Sequence, residues 1–189
     1  MKTQEEYKEL VLNGFPGKQR TLEFIRKFHG KQKDRAKQPY WQHPYRVAMR
    51  SLIEIDKFFK VIEGNGYKFV PWEKAYIELI VYMLCLCHDL YEDTNVKDED
   101  LKELGFNDEF IFILKEYLTH PSNIPYNQYI NHISQNVYAT LTKMADLVDN
   151  LDLSRLEGKQ LKETDFERIQ KYLDSYHFLF KSLDTQIID

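Results

Sequence analysis

Glycine and proline are scarce in this 189-residue chain, at seven and six. A many-stranded β fold needs frequent turn residues, so the shortage favours long helices. Cysteine is scarcer still. Cys85 and Cys87 lie two apart in an apolar run, a spacing that does not bring side chains together on a helix. They read as reduced, buried thiols, which points to a cytoplasmic location. A basic stripe is missing as well. The formal net charge is −4 and the sequence pI is about 5.9, so no nucleic-acid partner is expected. Long apolar runs are absent too: the most hydrophobic stretch, Ala75 to Cys87, contains Glu78 and is too short to span a bilayer. Met1 to Gln19 is polar and mixed in charge, unlike a secretory signal, so no membrane partner is expected either.

What is present reads as helix. Hydrophobic residues make up 43% and charged residues 30%, the balance of a globular chain rather than a disordered one. No repeat, low-complexity tract or linker interrupts it, so residues 1–189 are expected to form a single all-α domain, a helical bundle of eight or nine helices. Thr3 with Glu6 resembles a capping box, and Gly14 a stop. Further helices are expected over Lys18–Phe28, from His43-Pro44 towards Gly64, and over Trp72–Tyr91. Others are expected over Asp98–Gly105, from Asn107 to Leu118, over Tyr126–Ser134 and Val137–Leu153, and from Thr164 to Leu183. Lys31 to Gln42 is polar, holds Pro39 and reads as a loop. Tyr67 to Trp72 is where a short strand would fit best.

The chemistry concentrates in His88-Asp89-Leu90-Tyr91-Glu92-Asp93, at the end of the most apolar helix. On a continuous helix His88 and Glu92 share one face, and Asp89 and Asp93 an adjoining one. Acids at a helix C-terminus oppose its dipole and raise one another's pKa, a conflict that a divalent cation removes. Two other segments carry suitable groups. His43-Pro44 opens a helix, and Lys143-Met144-Ala145-Asp146-Leu147-Val148-Asp149-Asn150 places Asp146 and Asn150 on one face. Each has a plainer reading: a helix-start histidine, and an acid paired with Lys143.

Together these segments resemble the HD phosphohydrolase superfamily, whose metal pattern is His, then His-Asp, then a distant Asp. More narrowly the chain resembles the hydrolase domain of the Rel/Spo family and the small stand-alone alarmone hydrolases, which remove the 3′ pyrophosphate from ppGpp. Pro39-Tyr40-Trp41-Gln42-His43-Pro44, Cys87-His88-Asp89 with Glu92-Asp93-Thr94, Leu118-Thr119, and Lys143 with Ala145, Asp146 and Asn150 carry the resemblance. It implies that His43, His88, Asp89 and Asp146 are ligands of a divalent metal, Mn²⁺ foremost. It implies that Glu92 and Asp93 handle the attacking water. It also implies that Arg35, Lys37, Lys143 and Asn150 contact a nucleotide substrate. A homo-oligomer is left open.

The chain departs from that pattern in places. His43 and His88 are 45 positions apart, more than is usual in the family, with the extra residues around Phe58 to Trp72. Their glycines and aromatics suggest a loop covering a substrate pocket. Leu147 stands where the family has Arg, and Leu153 where it has Thr. Two further readings therefore stay open: an HD-type nucleotidase or phosphatase acting on another nucleotide, and a regulatory module that binds a nucleotide without turning it over.

Overall fold

The structure, a computed structural model, describes residues 2–156 and 160–185. Among them are ten α-helices: α1 (Gln4–Asn13), α2 (Lys18–His29), α3 (Gln42–Gly64), α4 (Pro71–Cys87), α5 (Leu90–Asp93), α6 (Asp98–Leu104), α7 (Asp108–Tyr117), α8 (Tyr126–Ile133), α9 (Val137–Leu151) and α10 (Glu163–Ser182). Two 3-10 turns follow α9 and α10. No strand occurs among the described residues, Tyr67 to Trp72 included; one isolated bridge pairs Lys33 with Pro39. No described helix is long and apolar enough to cross a membrane.

Most helix ends follow their local chemistry. The Thr3 hydroxyl accepts from the Glu6 amide and the Glu6 carboxylate from the Thr3 amide. Asn107 and Asn136 cap α7 and α9 through their side chains. Gly105 ends α6 at φ 116°, a conformation that a Cβ would strain. The start of α10 differs from the expectation. The cap is Lys162 rather than Thr164, because the Asp165 carboxylate accepts the Lys162 amide at 3.0 Å.

Nine helices correspond to the nine segments marked by the sequence pattern. The tenth, α5, is a correction. Trp72 to Tyr91 is not one continuous helix: α4 stops at Cys87, and α5 is a single turn beyond His88 and Asp89. Side chains can cap the carbonyls that a helix end leaves without partners. His88 does so here, its ring nitrogen bonding the Cys85 carbonyl at 2.8 Å.

The core joins α3, α4 and α9 to the flanking helices. Val47, Ile55 and Phe58 of α3, Ile77, Ile80 and Leu84 of α4, and Leu141, Met144 and Leu147 of α9 are almost fully buried. Each such side chain contributes about 1.5–3 kcal/mol of hydrophobic stabilisation. The α3–α4 pair is antiparallel. His43 meets Asp89 at one end, and Lys74 meets Glu63 at the other, at 2.6 Å.

That geometry corrects the reading of Phe58 to Trp72 as a pocket-covering loop. Phe58, Phe59 and Ile62 are buried in the last turns of α3, and Phe69 packs on both phenylalanines at centroid distances of 5.9 and 4.8 Å. Phe58 lies 15 positions after His43 on the same helix, which at a rise of 1.5 Å per residue is ~22 Å along its axis. The extra residues lengthen α3 and α4 at the end away from the histidines. Their aromatics satisfy a core, and Gly64 and Gly66 mark the turn that ends α3, Gly66 at φ 94°.

Candidate metal centre

Three elements bring the expected ligands together: His43 from the first turn of α3, His88 and Asp89 from the break after α4, and Asp146 from the buried face of α9. Pro44 in the first turn of α3 has no donor to lose there. One ligand atom each from His43, His88 and Asp146 lies within 4.8 Å of the others. His43 Nε2 is 3.2 Å from Asp146 Oδ1 and 3.5 Å from Asp89 Oδ2. His88 Nε2 is 3.1 Å from Asp89 Oδ1 and 3.6 Å from Asp146 Oδ1.

The orientation of the rings shows what the site fits. His88 Nδ1 contacts a carbonyl, which can only accept, so Nδ1 carries the proton. In the neutral ring Nε2 then presents a lone pair. That nitrogen is buried without a hydrogen-bond partner and faces two carboxylates. His43 is arranged alike, with Nδ1 on Asp149 Oδ2 at 2.8 Å and Nε2 towards the same carboxylates. Lone pairs aimed at carboxylate oxygens repel unless a proton or a cation lies between them. Imidazoles held through Nδ1 with Nε2 converging on carboxylates are the usual arrangement around a divalent metal. The donor set of two imidazoles and two carboxylates suits a first-row divalent ion.

The surrounding groups hold these ligands in place. Lys143 donates to Asp146 Oδ2 at 2.8 Å and Asn150 to Asp146 Oδ1 at 2.6 Å, from one turn before and one turn after on α9. Tyr40 donates to Asp89 Oδ2 at 2.8 Å. Burial alone would raise the Asp146 carboxyl, but Lys143 and the two histidines hold it well below its ordinary value. Burial opposes a charge on His43, yet Asp146, Asp149 and Asp89 push its pKa up to about 10. The pairing of Asp146 with Lys143 is thus present, and the histidines are added to it.

A cavity of about 390 Å³ opens beside these residues. His43, Asp89, Asp146, Lys143 and Asn150 line it, with Lys33 and Arg35 from the loop before α3 and Arg168 and Tyr172 from α10. The loop is folded tightly: Asp34 accepts the Gln38 amide through its side chain and the Lys37 amide through its carbonyl, both at 2.9 Å. Lys37 sits at φ 62° and is not among the residues lining the cavity, unlike Arg35. Arg35 and Arg168 both bond Asp165 Oδ1, at 2.8 and 3.1 Å.

Glu92 and Asp93 stand to one side, and neither lines the cavity. The Glu92 carboxylate accepts the His120 amide at 2.6 Å, and the Asp93 carbonyl accepts from Gln32 at 2.6 Å. Desolvation raises the Glu92 carboxyl, against the pull of the His120 amide and of Lys143.

Sequence reasoning missed the support behind His43. Asp149 is fully buried and binds His43 together with Arg46 and Arg50. The signal was present as an acid three residues after Asp146 and arginines three and seven residues after His43, each on the ligand's own helical face. Arg168 and Tyr172 were missed because nothing local on α10 points to a site.

No family model matches the sequence, and no curated protein matches it either. Among solved structures the chain is similar to a metazoan ortholog of SpoT, described as hydrolysing ppGpp and playing a role in starvation responses. The match has a TM-score of 0.56 at 18% sequence identity and covers 90% of this chain and 92% of the other. At that identity the likeness shows a shared all-helical fold.

Proposed function

We propose that the chain is a divalent-metal-dependent phosphohydrolase of the HD type acting on a nucleotide, with ppGpp as the first substrate to test and its 3′ pyrophosphate as the leaving group. The observation that carries this reading is the buried, unpartnered Nε2 of His88, fixed through Nδ1 and facing Asp89 and Asp146 beside His43. A cation held by His43, His88, Asp89 and Asp146, Mn²⁺ by preference, supplies Lewis acidity towards a water and a phosphoryl oxygen. The remaining work belongs to the side chains. Lys143 keeps Asp146 ionised, and Tyr40 keeps Asp89 turned towards the histidines. Lys33, Arg35 and Arg168 offer positive charge to phosphates in the cavity, and Asn150 is positioned for the ribose side. Glu92, whose carboxyl is raised, orients the attacking water or takes its proton, with Asp93 beside it. Glu92 lies outside the cavity lining but interacts with Lys143, Asp89 and His88, whereas Lys37, also outside it, is left out of these contacts. The solved structure described as hydrolysing ppGpp supports the choice of substrate through its shared fold.

A nucleotidase or phosphatase acting on another nucleotide is the second reading, favoured by Leu147, a fully buried apolar side chain where the family that the sequence resembles has an arginine. The test is a screen of purified protein with Mn²⁺ against ppGpp, dNTPs, NADPH and nucleoside monophosphates. Pyrophosphate released from ppGpp is the expected result. Release of phosphate from another nucleotide alone supports the second reading, and silence against all of them leaves a nucleotide binder.

A further inference from the structure

The two imidazoles of the candidate centre are held in chemically different ways. His88 Nδ1 donates to a neutral backbone carbonyl, that of Cys85, at 2.8 Å. His43 Nδ1 bonds a carboxylate, Asp149 Oδ2, also at 2.8 Å. That carboxylate is fully buried. Arg46 grips it through Nε at 3.0 Å and Nη2 at 3.1 Å, and Arg50 adds Nε at 3.0 Å. Arg50 also bonds Asp152. Two guanidiniums face it as counter-charges, Arg46 and Arg50 each with Nε 3.0 Å from Oδ1. Nothing local requires a buried acid at this position of α9, whose other buried residues are mostly apolar.

We propose that Asp149 is a positioning residue for His43. Its carboxylate, immobilised by Arg46 and Arg50, fixes the Nδ1–H tautomer and ring angle of His43 and makes that imidazole a stronger metal donor than His88. The inference rests on the metal-centre reading above. A charge-assisted hydrogen bond at Nδ1 shifts electron density towards Nε2, which a carbonyl does more weakly. The guanidiniums have a separate effect. They prevent the carboxylate from turning towards the metal pocket, where it would add a third acid.

The test uses the full chain, with Mn²⁺ affinity measured by titration and ¹H–¹⁵N spectra of the Zn²⁺-loaded protein. Wild-type protein should bind Mn²⁺ and show two Nδ1–H signals protected from exchange, the His43 proton further downfield. Asp149→Asn should weaken Mn²⁺ binding by about 10–100-fold, the usual effect of losing such a partner. It should move the His43 proton upfield while leaving that of His88 in place. Arg46→Gln keeps the carboxylate and removes part of its competition. It should shift the His43 proton further downfield and serves if Asp149→Asn does not fold. A wild-type protein that binds no metal overturns the metal-centre reading. A wild type that binds, with affinity and the His43 proton unmoved in both variants, overturns this proposal and leaves that reading standing.

Discussion

At one end of the α3–α4 pair, His43, His88 and Asp89 crowd charge and lone pairs into a buried space. At the other end, Phe58, Phe59, Tyr67 and Phe69 fill the same kind of space with rings. His88 and Asp89 sit where the backbone breaks after α4, and Tyr67 and Phe69 in the link between α3 and α4. At the aromatic end the Tyr67 hydroxyl bonds Glu73 at 2.7 Å. At the histidine end the buried Nε2 of His88 faces Asp89 and Asp146 without a hydrogen bond to either. Buried polar groups without hydrogen bonds cost stability, and a cation seated between these donors would relieve that cost.

Four substitutions and one titration can break or sharpen this contrast. The largest effect is expected from Asp89→Asn, which removes one anionic ligand with little change of shape. Metal content should fall, and turnover should drop by more than the roughly 10²–10⁴-fold effect of a lost acid or base. Full metal and full activity would mean the site is elsewhere. Glu92→Gln comes next. It should lower turnover by roughly 10²–10⁴-fold with metal retained, because Glu92 is assigned to the water. Elemental analysis showing an empty site would make it a ligand support instead.

Phe58→Ala moves the comparison to the aromatic end. It should cost about 3–5 kcal/mol in denaturant unfolding, while the protein that remains folded binds Mn²⁺ with unchanged affinity. A parallel loss of affinity would show that the two ends are coupled. The fourth test is pH. His43 rises from 6.5 to about 10 on folding. Its protonated form therefore stabilises the metal-free fold fully below about pH 6.5, and that contribution is lost as pH rises towards about 10. Metal-free melts should decline across this window, and bound metal should flatten the decline because it displaces that proton. The deficit of Phe58→Ala should stay constant over the same range. The smallest effect is expected from Tyr67→Phe, about 0.5–1.5 kcal/mol for one hydrogen bond, with no change at the metal end.

The sequence was legible at most of the helix ends that a local rule decides, the start of α10 excepted. Thr3 and Glu6, Asn107 and Gly105 set helix ends within a few residues of themselves, and the structure puts those ends there. His43, His88, Asp89 and Asp146 could be named because their spacing resembles a known order, and the structure brings them to one place. The break after Cys87 was hidden because it arises from a side chain taking a carbonyl, which leaves no trace in hydrophobic periodicity. The support of His43 by Asp149 spans 106 residues; the acid and the arginines each lie on a ligand's helical face, but only the fold shows that they meet. Phe58 to Trp72 misled for the opposite reason. Glycines near aromatics suit a mobile loop as well as a helix end, and only the length of α3 decides between them.

The proposed ligands come from three stretches far apart in the chain, and a metal held there would have a consequence for stability and its measurement. A cation binding there acts as a cross-link between α3, the end of α4 and α9 that exists only in the folded state. By mass action, a metal at a hundred times its dissociation constant should add about 2.7 kcal/mol to unfolding. Amide hydrogens around His43, His88 and Asp146 should then slow their exchange together, as one cooperative unit, while those of α1 change little. Trace metal carried through purification would therefore set the melting temperature, and batches of one protein would melt differently until each had been stripped and reloaded.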